Sequence, residues 1–265
     1  MENTVPRTLG FIGSGAIGAA LARLAVAAGL DVVLSNSRGP ETLADLVAEL
    51  GENVSAATPA EAALAGDLVV ATIPMHAYDK LPAEALAGKI VLDTLNYYPD
   101  RDGRLPELDA DNLTSSGLVQ RHLTDSRVVK VFNNIGARQL FTLARPVVAD
   151  DRSALPIAGD DGEAKEEATR LLDVLGWDAV DIGPLSESWR CEPNSPVYVT
   201  PYLGEAPGEL EPGDWFSWSL ESSGRVVPAA EVRALVEAAV RGPAGGNLPP
   251  GVEPDMISGR RPKGA

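Results

Sequence analysis

From the N-terminus to about residue 184, short apolar runs alternate with stretches whose apolar positions recur at helical spacing. TLGFIG, residues 8–13, is too short for a helix and predicts a strand. In the segment that follows, Ile17, Leu21, Leu24 and Ala28 stand at i, i+4, i+7 and i+11, one face of a helix that Gly29 ends. DVVLSNS, residues 31–37, predicts the next strand. Pro40, in a first-turn position, then opens a helix whose Leu43, Leu46, Val47 and Leu50 face inward and which Gly51 closes. VSAAT, DLVVATIP, KIVLDTLN and RVVKVFN predict further strands, with helices at 59–65, 79–87 and 136–144. ALPIAGD, a helix carrying Ala164, Ala168, Leu171 and Leu175, and WDAVDIGP supply one more strand, helix and strand.

Near-continuous apolar strands separated by helices imply a sheet buried on both faces, because parallel neighbours need crossover connections. The expected fold is α/β, a doubly wound, mainly parallel Rossmann-type sheet with a smaller irregular C-terminal extension. Residues 1–150 form its main domain, 151–184 a strand-helix-strand extension of the same sheet, and 185–265 the extension. Residues 97–126 read as a polar loop followed by a short helix. After Leu185 the composition changes: Trp189, Tyr198, Tyr202, Trp215, Phe216 and Trp218 lie among prolines and glycines, and no regular element can be read there. A helix is predicted at 228–241, with Val232, Leu235, Val236, Ala239 and Val240 on one face. The stretch from Gly242 onward reads as a flexible tail, or as an arm that orders on the partner subunit of a homodimer.

Composition narrows the partners. Hydrophobic residues at 45% and charged residues at 23% are ordinary globular usage. A net charge of −16, from 22 Lys and Arg against 38 Asp and Glu, argues against nucleic acid and anionic lipid. A small anionic ligand needs only a few convergent donors and stays open. Cys191 stands alone, which rules out an internal disulfide and fits a reducing cytoplasm. The acidic start reaches a strand too soon for a signal peptide, and Arg23 interrupts the best apolar run, so no membrane span is expected.

The chemistry begins at residues 13–18. Gly13, Gly15 and Gly18 form G-x-G-x-x-G between a strand and a helix, with Ser14, Ala16 and Ile17 filling the loop. The first glycine permits the turn, the second lets backbone approach a pyrophosphate at the helix N-terminus, and the third lets helix and strand pack closely. An NAD site carries an acid at the tip of the second strand. Here the tip is Ser35, Asn36, Ser37 and Arg38, which offer donors to a 2′-phosphate, so the expected cofactor is NADP(H). The bland alternative is a polar loop that happens to contain an arginine.

The run GSGAIGAALARLAVAAGLDVVLSNSRGPETL, with ATIP (71–74), VLDTLNYY (91–98), VVKVFNNIGARQL, ALPIAGDDGEAK and PNSPVY, resembles the NADPH-dependent coenzyme F420 reductase family, the F420H2:NADP oxidoreductases. The resemblance spans residues 7 to about 200 and implies hydride transfer between NADP(H) and coenzyme F420, a deazaflavin co-substrate. Such chemistry is borne by the cofactors, so no catalytic side chain and no metal are expected. The resemblance implies that Ile73 and Pro74 border the nicotinamide, with His76 in the same loop, that Asn96 ends the next strand near the cleft, and that Asn133 and Ile135 lie beside the two rings. For Asn133 and Asn134 an amide-capped strand end is an equal alternative, for Ile135 core packing, and for His76 a surface histidine is the better reading. Lys130, Arg138 and Arg190 are candidates for the anionic tail of F420, Cys191 reads as structural and His122 as peripheral. The chain departs from the family at WRCEP (189–193) and runs well past its usual end, in the part that would shape an acceptor pocket. Two other functions stay open: an NADPH-dependent reductase of a C=N or C=C bond, and an NADP(H) sensor without turnover. A short-chain dehydrogenase is disfavoured, since Tyr97 and Tyr98 are followed four residues later by Arg101 and Asp102 in place of lysine, and Tyr78 by Pro82.

Overall fold

Eight strands form one sheet in a computed structural model that describes residues 7–248. They are β1 (Thr8–Ile12), β2 (Asp31–Ser35), β3 (Val54–Ala56), β4 (Leu68–Ala71), β5 (Ile90–Asp93), β6 (Arg127–Lys130), β7 (Ala154–Gly159) and β8 (Asp178–Asp181). Their spatial order is β3-β2-β1-β4-β5-β6-β7-β8. Every pairing is parallel except β6 with β7, where Val129 faces Gly159 and Lys130 faces Ala158. The order in which strands are added switches sides between β1 and β4, which opens a crevice at the carboxyl ends of the first six strands, the topological switch point of a Rossmann-type fold. Because β7 and β8 run the other way, their carboxyl ends lie at the opposite edge of the molecule.

The helices before the reversed strand are α1 (Ala16–Ala27), α2 (Ala44–Leu50), α3 (Pro59–Ala65), α4 (Ala83–Leu86), α5 (Pro99–Asp102), α6 (Pro106–Asp109), α7 (Ser115–His122) and α8 (Ala137–Thr142). After it come α9 (Gly162–Val174), α10 (Thr200–Leu203), α11 (Pro212–Glu221) and α12 (Ala229–Glu237). Strand periodicity divides the core in two. On one face Leu9, Phe11, Val70, Leu92 and Val129 pack with Leu21, Leu24 and Ala25 of α1 and with Ala168 and Leu171 of α9. On the other face Ile12, Val69, Val91 and Val128 pack with Leu86, Leu118 and Val119. Each element of residues 8–71 lies where the apolar pattern places it, with strand ends one to three residues shorter.

The departures have local causes. The expected helix at 79–87 is a 3₁₀ turn, Met75–Lys80, followed by α4, because Pro82 breaks continuous helical hydrogen bonding. The helix expected at Pro40 begins as a 3₁₀ turn, Pro40–Leu43, and of its four apolar residues only Leu43 is buried. The expected polar loop after residue 97 contains α5 and α6, each opened by a proline at its first helical position. Thr114 then caps α7, its hydroxyl accepting from the Gly117 amide. In the irregular segment the chain forms a 3₁₀ helix, Leu185–Cys191, then α10 and α11; α11 buries Ser219 while Trp215, Phe216 and Trp218 stay partly exposed, so it carries no inward apolar stripe to read. α12 stops at Glu237, and Val240, expected on its buried face, is 90% exposed. Residues 242–248 do not hang free: the Gly246 amide donates to Tyr97 O at 2.9 Å, and Asn194 Nδ2 donates to Gly245 O at 2.9 Å. The remainder of the expected tail, 249–265, lies outside the described residues. Among the described residues no helix is long and apolar enough to cross a membrane, and no cluster of metal-ligating side chains occurs.

Candidate functional site

The glycine loop occupies the crevice at the end of β1. Gly13 has φ 104°, and a Cβ there would fall 2.2 Å from Thr72 O, so both conformation and space demand glycine. Gly18 is fixed by proximity, since a Cβ would meet Gly13 O at 2.6 Å and Thr72 Cγ2 at 2.9 Å. Gly15 is different: it is exposed with nothing within 4 Å of the position a Cβ would take. It is the N-cap of α1 and offers no side-chain cap, so the first amides of that helix face open space beside it. Ser14 is drawn away, its hydroxyl donating to Ser35 O at 2.9 Å. Ala16 is exposed and Ile17 half-buried at the same mouth. An uncapped helix start beside an empty glycine position fits a pyrophosphate.

At the tip of β2 the four expected donors separate. Ser35 is fully buried and its hydroxyl donates to Phe11 O at 2.6 Å, which satisfies a polar group inside the sheet. Ser35 therefore belongs to the core, a correction to its expected place in a phosphate pocket. Asn36 organises the turn: its Oδ1 accepts from the Arg38 amide at 2.8 Å and its Nδ2 donates to Thr42 Oγ1 at 2.9 Å. Ser37 and Arg38 are exposed on this turn, and Arg38 forms no ion pair among the described residues. The free guanidinium, with the Ser37 hydroxyl, fits a 2′-phosphate, with the Glu41 carboxylate the nearest negative group, folded against Gly39.

At the ends of β4, β5 and β6 lies a hydrogen-bonded network. Ile73 and Pro74 are half-buried, and His76 is exposed with Nδ1 3.0 Å from Asp102 Oδ1. Asp102 has no exposed side-chain surface, yet it accepts from the Arg101 guanidinium through both oxygens, at 3.0 and 2.9 Å, and from the Tyr98 amide at 2.9 Å. Burial alone would raise its pKa, but the bonds and charge of Arg101, the Tyr98 amide and His76 together hold it below the usual carboxylate range. Asp102 thereby ties the loop after β4 to the loop after β5.

Asn96 donates through Nδ2 to Asn133 O at 2.7 Å and to the Tyr198 hydroxyl at 3.2 Å, and its Oδ1 accepts from Asn133 Nδ2 at 3.1 Å. The Tyr198 and Tyr98 hydroxyls bond each other. Arg101 lies over the Tyr98 ring, 5.0 Å from its centroid, and Gly246 packs on the ring's edge. Burial is the main cause that raises both phenols above the usual tyrosine range. The sequence places neither tyrosine in the site: Tyr98 enters only as a short-chain-dehydrogenase tyrosine that lacks its lysine, and Tyr198 only as one of the aromatic residues after Leu185.

Two expected ring neighbours are corrected. Asn133 is 4% exposed and donates to Cys191 O at 2.8 Å, while Ile135, 3% exposed, packs in the core. Asn133 is held inside by the return of the chain through Cys191–Tyr198, and Asn134 likewise donates to Val197 O at 3.0 Å. The amide-capped strand end and the packed isoleucine are what the structure contains.

The cations divide similarly. Lys130 is completely buried; its Nζ bonds Leu95 O and lies 3.4 Å from Asp93 Oδ2, so it is not available to an anionic tail. Arg190 pairs with Glu187 at 2.7 Å, stacks on Trp189 and turns toward α12 carbonyls, away from the crevice. Arg138 remains exposed at the start of α8 with no ion pair among the described residues. Cys191 is buried and its thiol is pushed up to about 12, chiefly by desolvation. His122 is bonded to Leu81 O at 2.9 Å, outside the network.

Fold and loop together define a protein of the Rossmann dinucleotide-binding type. Residues 8–97 match the family model for "NADP oxidoreductase coenzyme F420-dependent", which bears out the resemblance carried by the glycine loop and the SNSRGP turn. Among solved structures, a hypothetical protein of Sinorhizobium meliloti is 28% identical, with TM-score 0.62, over 72% of this chain and 92% of that one. A candidate F420-dependent NADP reductase of Arthrobacter sp. FB24 is 26% identical, with TM-score 0.59, over 69% of this chain and 87% of that one. A pyrroline-5-carboxylate reductase of Coxiella burnetii, at 16% identity and TM-score 0.50 over 71% of this chain and 64% of that one, shares the fold. No curated protein matches the chain significantly.

Proposed function

We propose that this protein is an NADP(H)-dependent oxidoreductase that passes a hydride between NADP(H) and coenzyme F420. The observation that carries the reading is the family match over residues 8–97, which covers both the open glycine loop and the Arg38 turn. The nicotinamide cofactor supplies the hydride when bound. The chain's own work is placement: the α1 N-terminus receives the pyrophosphate, Arg38 and Ser37 the 2′-phosphate, and Ile73 and Pro74 flank the reactive end. Arg138, exposed beyond β6, is the cation placed to meet the anionic tail of the acceptor. Purified protein mixed with NADPH and F420 should bleach the deazaflavin absorbance at a rate that depends on protein concentration. Consumption of NADPH with other acceptors and none with F420 would overturn the acceptor, and no consumption with any acceptor would leave a nucleotide-binding protein.

A further inference from the structure

Hydrogen-bond accounting at the end of β5 leaves one proton over. Tyr98 and Tyr198 carry two phenolic protons, and the bond between their hydroxyls uses one. Asn96 Nδ2 donates into the Tyr198 oxygen, so Asn96 accepts neither. No other acceptor for either hydroxyl occurs among the described residues. Either hydroxyl can donate in that bond; because Tyr198 already accepts from Asn96, donation from Tyr198 to Tyr98 shares the accepted bonds between the two oxygens, and we take that arrangement. The unspent proton is then that of Tyr98.

The position of this ring is over-determined. Arg101 covers one side, Gly246 packs against the Cε1 edge, and the Tyr98 amide is held by Asp102. The pair bridges the end of β5 to the returning segment, beside Asn96 and Asn133, in the half of the crevice away from Arg38. In a nucleotide bound with its adenosine over β2, that half holds the nicotinamide and whatever it reduces.

We propose that Tyr98 is a proton donor to the hydride acceptor, with Tyr198 as the positioning residue that orients and recharges it. The inference rests on the oxidoreductase reading above. When an acceptor C=N or conjugated C=C bond takes a hydride on carbon, its electron pair moves to the heteroatom at the far end. That heteroatom takes the Tyr98 proton, the Tyr98 oxygen recovers one from Tyr198, and Tyr198 recovers one from water. The net change is one hydride and one proton added to the acceptor. Burial keeps both phenols protonated at neutral pH, as a donor requires. Cys191, also buried nearby, has its proton bonded to the Ser188 carbonyl and is the poorer source.

The test compares wild type, Tyr98→Phe and Tyr198→Phe with NADPH and two acceptors, F420 and the cyclic imine 1-pyrroline. Tyr98→Phe should lower the turnover rate about 10²-fold or more and change the solvent deuterium isotope effect, with NADPH affinity unchanged. Tyr198→Phe should lose about tenfold. A second readout needs no turnover: the absorption band of F420 bound without NADPH should shift in wild type and not in Tyr98→Phe. Wild-type rates in both variants would overturn the proposal while leaving F420 reduction standing. If Tyr98→Phe fails to fold, an unaltered rate in Tyr198→Phe overturns it alone. F420 inert, with 1-pyrroline reduced and slowed by the variants, would overturn the acceptor and support the donor; neither acceptor reduced by wild type would remove both.

Discussion

At the scale of single residues, the nucleotide end depends on which donors stay free. Of the four polar side chains at the tip of β2, Ser35 is spent on Phe11 O and Asn36 on the turn, and Ser37 and Arg38 are the two the proposed phosphate site draws on. Arg38→Ala should weaken NADPH binding by about 1.5–3 kcal/mol, the worth of a hydrogen bond to a charged group, and leave NADH nearly unchanged. Calorimetric titration with both nucleotides decides this: equal losses would take the guanidinium out of the phosphate site. The division among these residues shows where sequence reading stops. Residue types told which donors the turn contains, because an arginine following Ser-Asn-Ser is visible in the chain. Their direction was not visible, because Ser35 closes a strand and strand residues alternate faces. The same limit applies to Asn133, held inward by Cys191 across 58 residues of sequence, and to Ile135, which packs in the core.

At the scale of elements, the crevice is shaped by loops tied together through buried polar groups. Asp102 fastens the 3₁₀ turn after β4 to α5 through His76, Arg101 and the Tyr98 amide. Its folded pKa lies below the unfolded value, so its contribution to stability is present above about pH 4 and is lost as pH falls through the folded value. Asp102→Asn should therefore lower stability at pH 7, and the gap from wild type should narrow as the pH falls below about 4. Urea denaturation across that range measures it; a gap constant with pH would mean the carboxylate charge is not what holds the loops. Local periodicity exposed all eight strands, α1 and α9, whose apolar residues repeat at a single period. It failed for α5, α6 and α11, where single turns opened by proline, or aromatic residues left half-exposed, carry no repeat to detect.

At the scale of the whole molecule, the chain after β8 travels back across the sheet to reach the crevice. The 3₁₀ helix Leu185–Cys191 starts near Asp160, where Leu185 donates to Asp160 Oδ1, and ends beside Asn133. From there the return brings Tyr198 to Tyr98, and residues 245–246 close over Tyr97, Tyr98 and Pro193. Gly246→Val would place a Cβ 2.6 Å from both Pro193 Cβ and Tyr98 Cε1 and should displace this closure. The expected outcome is a melting temperature lower by about 2–4 °C for each kcal/mol lost, with NADPH affinity retained, since the contacts lie away from residues 13–18 and 35–39. A matched loss of nucleotide affinity would mean the two halves of the crevice are coupled.

The reversed pairing of β6 with β7 separates two ends of the molecule. Asp161, just past β7, lies beside Arg127 at the start of β6, roughly 15 Å of strand away from the ligand-facing edge. A fluorophore or surface tether joined to the turn between β7 and α9 would therefore report on the protein in solution without obstructing the entry of nucleotide or acceptor.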